Sequence, residues 1–473
     1  MLNQETAREY WNSEIWIARL YLYLLPIRMI APLIFLKGIF SGAAVYFDLV
    51  FHGLGLLLIF MRTRGRAILD TDPSSKLMQH FAFLIVYLNF SSIIMSVVIQ
   101  YTRGNYAGES AFSGIVGMLL YFTQYAFMLF YNKHVFEMIS KEELLTILRR
   151  VCWFLLILGY WQVMAMNFGG AFAAIHDAFD IFDVLYSAEE MPKLCLTGSE
   201  GASAGSIISI FVLPVLYGCI LGGNKSALSF VQVLLWLVPL YFTRSSTAYI
   251  LFAVVSIFFL FLWIKESAKK HPAALVLVVI FLLLIVLILI LFEVSVFSDE
   301  VVEQIQYLLM EKITDEENGS TISRTVPLVV NWKTFLRYPI FGVGNGLQGY
   351  FYVEDFPKWA MNVPGSDVME FYEISKYGIS NGAVFFPSLL SGYGIVGVVM
   401  IIIFAVHLVM NAISGKKQMG SFYYTFLLAA VAILFTGFQS DIYGRYYIWF
   451  MLSLPLMVKG AEDNKSCEEI AEI

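Results

Sequence analysis

This 473-residue chain is poor in charge for its length and has few cysteines. Asp, Glu, Lys and Arg make up only 14% of it, against about 25% in a soluble domain, which excludes a string of water-soluble domains. Of four cysteines, Cys152 and Cys219 fall inside long apolar runs and Cys467 in the C-terminal tail, leaving Cys195 alone. That excludes a disulfide framework and cysteine-based metal spacing. No Ser-His-Asp set, zinc motif or Walker sequence is present, and no internal repeat or inverted pair of broken helices of the transporter type. No cofactor, metal or nucleic-acid partner is therefore expected. The N-terminus is polar (Asn3, Gln4, Glu5, Arg8), so no cleavable signal peptide is expected.

What the chain does have is apolar length. The hydrophobic fraction is 59%, and twelve stretches read as bilayer crossings: 15–36, 43–61, 79–101, 112–131, 151–170, 204–222, 227–243, 246–264, 272–295, 384–408, 421–437 and 443–458. A backbone in hydrocarbon has no water to bond, so each must be a helix. The expected fold is an all-α polytopic membrane protein of about 12 transmembrane helices, a single membrane domain over 1–473. Lys and Arg alternate between the connections. Arg62, Arg64, Arg66 and Lys76, then Lys133, Lys141, Arg149 and Arg150, then Lys225, then Lys265, Lys269 and Lys270, then Lys416 and Lys417 fall on one side. The positive-inside rule puts that side and both termini in the cytoplasm. Two extracytoplasmic loops are large, 171–203 and 296–383, the second lying between spans 9 and 10. Its length and apolar content point to function rather than disorder. Short helices are expected in it, including an amphipathic one over 299–312 lying at the membrane surface.

The candidate chemistry lies in these outer segments. Arg324 opens a helical stretch that carries Lys333 and Arg337 and ends in Gly342-Val343-Gly344-Asn345-Gly346. Guanidinium and ammonium groups suit phosphate. The glycines offer either a backbone cradle for an anion or simply a turn where a helix ends against the membrane. No strand pattern precedes them, so no nucleotide fold is read here. Arg244, among Thr243, Ser245, Ser246 and Thr247, is placed either to meet a diphosphate or to snorkel at the interface. Glu200, before Gly201 and Gly205, reads first as an acid complementing a helix start, and the glycines as close-packing positions. Asn381, before the span with Gly392, Gly394 and Gly397, is a candidate for sugar hydroxyls. Asp367, Glu370 and Glu373 are candidate general bases for an acceptor hydroxyl. Tyr350, Tyr352, Trp359, Tyr372 and Tyr377 suit either a sugar-stacking groove or an interfacial belt. His176 with Asp177, and Asp441 with Arg445, are weaker pairs, the first more simply solvated and the second a plain ion pair.

Taken in order, SRTVPLVVNWKTFLRYPIFGVGNG (323–346), SNGAVFFPSLLSGYGIVG (380–397), FTRSSTAYI (242–250) and SEGASAG (199–205) resemble the O-antigen and capsule polymerase/ligase family of bacterial envelope glycosyltransferases. The resemblance covers about residues 43–458 and implies a GT-C-like fold in the bacterial inner membrane. It implies a polyprenyl-diphosphate-linked oligosaccharide as donor, transfer on the outer face of the membrane, and a chain-length regulator as a candidate partner besides the lipid bilayer. Arg324 and Arg244 would be the catalytic binders of diphosphate or glycan, with Glu370 and Glu373 beside them. Arg337, Lys333, Gly344, Asn345, Asn381 and Glu200 would bind substrate. The family's ligase branch has a His-Asn pair spaced before the Gly-x-x-Gly. By that spacing this chain has Ala383-Val384, with Ser380-Asn381 three residues earlier. That departure favours a polymerase, with a ligase or a lipid-linked oligosaccharide flippase as alternatives.

Overall fold

The computed structural model describes residues 10–27, 47–64, 76–105, 110–178, 193–198, 201–223, 226–268, 319–344, 347–352, 354–360, 385–438 and 445–458. Among them every regular element is helical. In chain order these are α1 (Asn12–Leu24), α2 (Phe47–Thr63), α3 (Lys76–Arg103), α4 (Ala111–Met138), α5 (Lys141–Phe168), α6 (Gly170–Ala178) and α7 (Gly201–Leu221). Then come α8 (Ser226–Leu235), α9 (Leu237–Phe242), α10 (Ser246–Ala268), α11 (Gly319–Arg337), α12 (Phe385–Ser414), α13 (Ser421–Gly437) and α14 (Tyr446–Ser453). By length and composition, five helices can cross a membrane: Gln79–Arg103, Lys141–Phe168, Gly201–Leu221, Ser246–Glu266 and Phe385–Ser414. Shorter apolar helices cover Phe51–Thr63, Ala227–Phe242, Ser421–Gly437 and Tyr446–Met457.

Among the described residues, each expected span between 43 and 264, and each from 384 onward, is helical, with 227–243 divided between α8 and α9. The first is helical only in part. Its helix stops at Leu24, before Pro26, because proline removes an amide donor and restricts the residue before it. The segments 272–295 and 299–312 lie outside the described residues. Within the expected loop 171–203, residues 170–178 form α6, which packs on α5.

Local chemistry sets several boundaries. Ser140 caps α5 through its hydroxyl, which accepts from the Glu143 amide at 3.2 Å, and Glu142 and Glu143 place acid in the first turn. The helix ends where Gly169 takes a positive φ. The joint between α8 and α9 follows from Pro239. Having no N–H, it leaves the Leu235 carbonyl without its helical partner, and the Tyr160 hydroxyl donates to that oxygen at 2.9 Å. In α7, residues Ile207–Val212 wind as a π-helix, all of them buried.

The long-range polar contacts tie helix ends in two groups, as antiparallel neighbours require. At one end Glu14 receives Arg62, Glu143 receives Arg19, Glu266 pairs with Lys416, and the Lys141 ammonium donates to the Gln418 carbonyl. At the other end Arg103 pairs with Glu354, Tyr350 donates to the Gly104 carbonyl, and the Leu194 amide donates to the Phe242 carbonyl. The main apolar core joins α1–α5, α7–α10 and α12–α14. A second, separate nucleus lies at the Arg103 end. There Val326, Val330, Val343, Leu347, Tyr350, Phe351, Tyr352, Phe356 and Ala360 close on Ile99 and Ala111.

Candidate functional site

The second nucleus holds a basic cluster in place. α11 lays Val326, Val330, Asn331 and Thr334 on its buried side, against α12 and the segment 347–360. The opposite side exposes Leu328, Trp332 and Leu336, and the chain continues into exposed Ile340 and Phe341. At 100° per residue the three apolar positions span about 80°, and Lys333 and Arg337 lie about 60–100° beyond them. α11 is thus packed on one side and apolar-exposed on the other, and Lys333 and Arg337 emerge at the border of the packed side.

The glycine-rich turn after it is built by close backbone approach. Gly342 and Gly344 take φ of 70° and 86°. The Val343 and Gly344 amides donate to the Ser391 and Gly392 carbonyls at 2.8 Å each, and the Gly342 amide to the Tyr338 carbonyl at 3.0 Å. In return the Ile395 and Val396 amides donate to the Pro339 and Ile340 carbonyls. This is possible because α12 breaks at Gly394 (φ 61°, ψ −166°). A Cβ on Gly342 would sit 2.4 Å from the Gly392 carbonyl carbon, and one on Gly394 would sit 2.3 Å from the Ile340 oxygen. Of the two readings of these glycines, the turn is the one that these bonds support. The amides of 342–344, Gly344 included, are already engaged within the protein, and the glycines serve the turn.

Buried side chains lock the same junction. The Ser391 hydroxyl donates to Asn331 Oδ1 at 2.6 Å, Asn331 Nδ2 donates to the Tyr352 hydroxyl at 3.0 Å, and Gln348 Nε2 donates to the Ser388 carbonyl at 3.1 Å. Tyr352 is buried in this junction, and Tyr350 is buried with its hydroxyl on the Gly104 carbonyl, so neither presents a ring for stacking. Trp359 stays exposed.

The basic edge meets two carboxylates. Arg337 Nη2 lies 2.6 Å from Asp355 Oδ1, and its Nη1 lies 3.4 Å from Glu354 Oε1. Lys333 Nζ donates to the Asp355 carbonyl at 3.3 Å. Arg103, at the end of α3, pairs with Glu354 and lies over the Phe351 ring, 4.3 Å from its centroid. The Arg103 hydrogen bond holds the Glu354 carboxyl below its ordinary pKa, with the nearby Arg charges adding to it.

Arg244 sits elsewhere on the same end, exposed at the α9–α10 joint with a left-handed φ of 46°. Its charge acts on the Tyr249 phenol, which donates to the Tyr241 carbonyl at 2.8 Å. Gly201 and Gly205 press α7 against this joint. A Cβ on the first would meet the Thr243 carbonyl oxygen at 2.2 Å, and on the second the Ala248 Cβ at 2.3 Å. Arg445 donates to Ser206. His176 is buried, with Nδ1 3.3 Å from Asp177.

Of the residues singled out in the sequence, Lys333 and Arg337 are brought together, and Arg244 stands at a separate joint of the same end. Arg324 lies in α11, but its side chain, like Glu200, Asn345, Asp367, Glu370, Glu373, Asn381 and Asp441, is outside the described residues. Arg103, Asn331, Glu354, Asp355 and Ser391 escaped the sequence reading. Only the Arg103 position, a cation closing an outer helix end, carried a legible signal.

The fold is that of a helical protein with five helices long and apolar enough to cross a membrane, which fits a polytopic membrane protein, and the described residues gather a basic cluster at the end of α3. Residues 230–369, which contain Arg244, Arg324, Lys333, Arg337, Glu354 and Asp355, match the family profile described as O-antigen ligase. The match supports the O-antigen ligase/polymerase family for this chain, without separating its two branches. No curated protein matches the chain.

Proposed function

We propose that the protein is a membrane glycosyltransferase that polymerises polyprenyl-diphosphate-linked oligosaccharide repeat units. The product is an O-antigen, capsule or exopolysaccharide, made on the outer face of the bacterial inner membrane. The observation that carries this is the family match over 230–369, because it takes in both the Arg244 joint and the basic edge of α11. The chain crosses the membrane about twelve times, with the Arg103 end outside and the ends holding Arg62, Lys141 and Lys416 in the cytoplasm. Transfer between two lipid-linked glycans expels a lipid diphosphate, and fixed positive charge stabilises that developing anion. Arg324 and Arg244 hold the diphosphate, and a carboxylate from Glu370 or Glu373 accepts the acceptor hydroxyl's proton.

A ligase, which moves finished glycan to a different acceptor, is the second reading, since the family match takes in both branches. Purified protein incubated with lipid-linked repeat units and sized on a gel tests both. Chain growth is the expected result. Transfer without growth when a second acceptor is supplied identifies a ligase, and movement across vesicles without either identifies a flippase.

A further inference from the structure

Two carboxylates meet the basic edge of α11, and they differ. Asp355 is buried, 6% exposed, and takes the short bond from Arg337. Glu354 is 48% exposed and bridges two guanidinium groups, one from Arg103 on α3 and one from Arg337 on α11. Asp355 thus ties the segment 354–360 to α11, whereas Glu354 stands where an incoming solute reaches it.

Two Arg side chains that bracket one carboxylate also suit phosphate oxygens, since both anions accept paired N–H donors. Arg103, Lys333 and Arg337 carry three positive charges against the two negative charges of Glu354 and Asp355. One positive charge remains with Glu354 in place, and two without it. Exposed ion pairs are weak, so an anion of higher charge can exchange with Glu354. The exposed Leu328, Trp332 and Leu336 beside the basic edge set this exchange at the lipid surface.

Resting on the glycosyltransferase reading above, we infer that Glu354 is a resident carboxylate that occupies, between Arg103 and Arg337, a second diphosphate place, apart from the one at Arg324 and Arg244. It sets the affinity of this site by competition. Arg103 becomes a phosphate-binding residue from outside the matched segment. The diphosphate there belongs to a prenyl-linked acceptor glycan or is a free anion; both present the same oxygens.

Calorimetric titration of the purified full-length protein in neutral detergent with inorganic diphosphate tests this. Glu354→Gln is expected to bind about three- to fivefold more tightly, the size of one exposed ion pair. Glu354→Asp, which keeps the charge, is expected within about twofold of the unaltered protein. Adding Arg103→Gln to Glu354→Gln should abolish the gain. Farnesyl diphosphate binding more tightly than inorganic diphosphate assigns the site to a lipid-linked ligand, and equal affinities assign it to the free anion. Should Glu354→Gln fold poorly, Glu354→Ser makes the same comparison with a smaller neutral side chain. Unchanged affinity in a neutral variant that still unfolds in a single cooperative transition overturns the inference. Chain growth by the unaltered protein would still uphold the glycosyltransferase reading in that case.

Discussion

Arg244 occupies left-handed backbone, a region that costs a non-glycine residue of order 1–3 kcal/mol and concentrates at working sites. Thr243, buried with its hydroxyl on the Leu240 carbonyl, holds the joint in that shape from one side, and the close approach of Gly201 holds it from the other. Arg244→Ala is therefore expected to erase the polymer ladder in cells at normal protein level, and Arg324→Ala to do the same. An undiminished ladder in either would remove that residue from the mechanism. Glu354 carries a pH prediction. Its folded pKa is depressed, so its bond to Arg103 contributes fully above the ordinary carboxylate value of about 4.3 and fades as pH falls through the lower folded value. Melting curves of the unaltered protein and Glu354→Gln should differ near neutrality and converge under acid. A difference that persists in acid would rule out the carboxylate charge as its source.

The break in α12 is the element on which the site depends. Gly394 lets the helix turn aside so that 391–396 exchanges backbone hydrogen bonds with 339–344, and that exchange sets where α11 ends. Gly394→Ala would place a Cβ 2.3 Å from the Ile340 oxygen at a positive φ, and no flexible side chain is there to give way. The expected loss is about 2–4 kcal/mol, read as a lowered melting temperature in detergent. An unchanged melting temperature would show that the junction relaxes freely. Asn331→Ala, which removes one buried hydrogen bond from each of Ser391 and Tyr352, is expected to cost about 1–3 kcal/mol by the same measurement. None of this was legible beforehand. The sequence shows Gly392, Gly394 and Gly397 as small residues in an apolar span, and only the meeting with a loop some fifty residues away shows which of them bends. Asn331 and Ser391 look like ordinary polar interruptions, because their partners come from segments 21 and 60 residues away.

Among the described residues, the long-range ion pairs sort into two groups of helix ends, and the proposed orientation makes them cytoplasmic and outer. A cysteine placed at Lys358, in a background lacking Cys467, should react with a membrane-impermeant maleimide on intact cells or spheroplasts. One placed at Lys417 should react only after permeabilisation. The reverse pattern would invert the topology and move the site to the cytoplasm. The helical, membrane-directed character of the chain was open to the sequence alone, because hydrocarbon admits a long apolar run only as a helix, and such a run is a local property. The presence of cations in the late loop was equally plain. Which of them share a site was not. Arg103 and Glu354 are 251 residues apart, and their pairing exists only because Ile99 and Ala111 seat the second apolar nucleus against the end of α3. Packing brings distant charges within reach of each other, and no spacing along the chain encodes that distance.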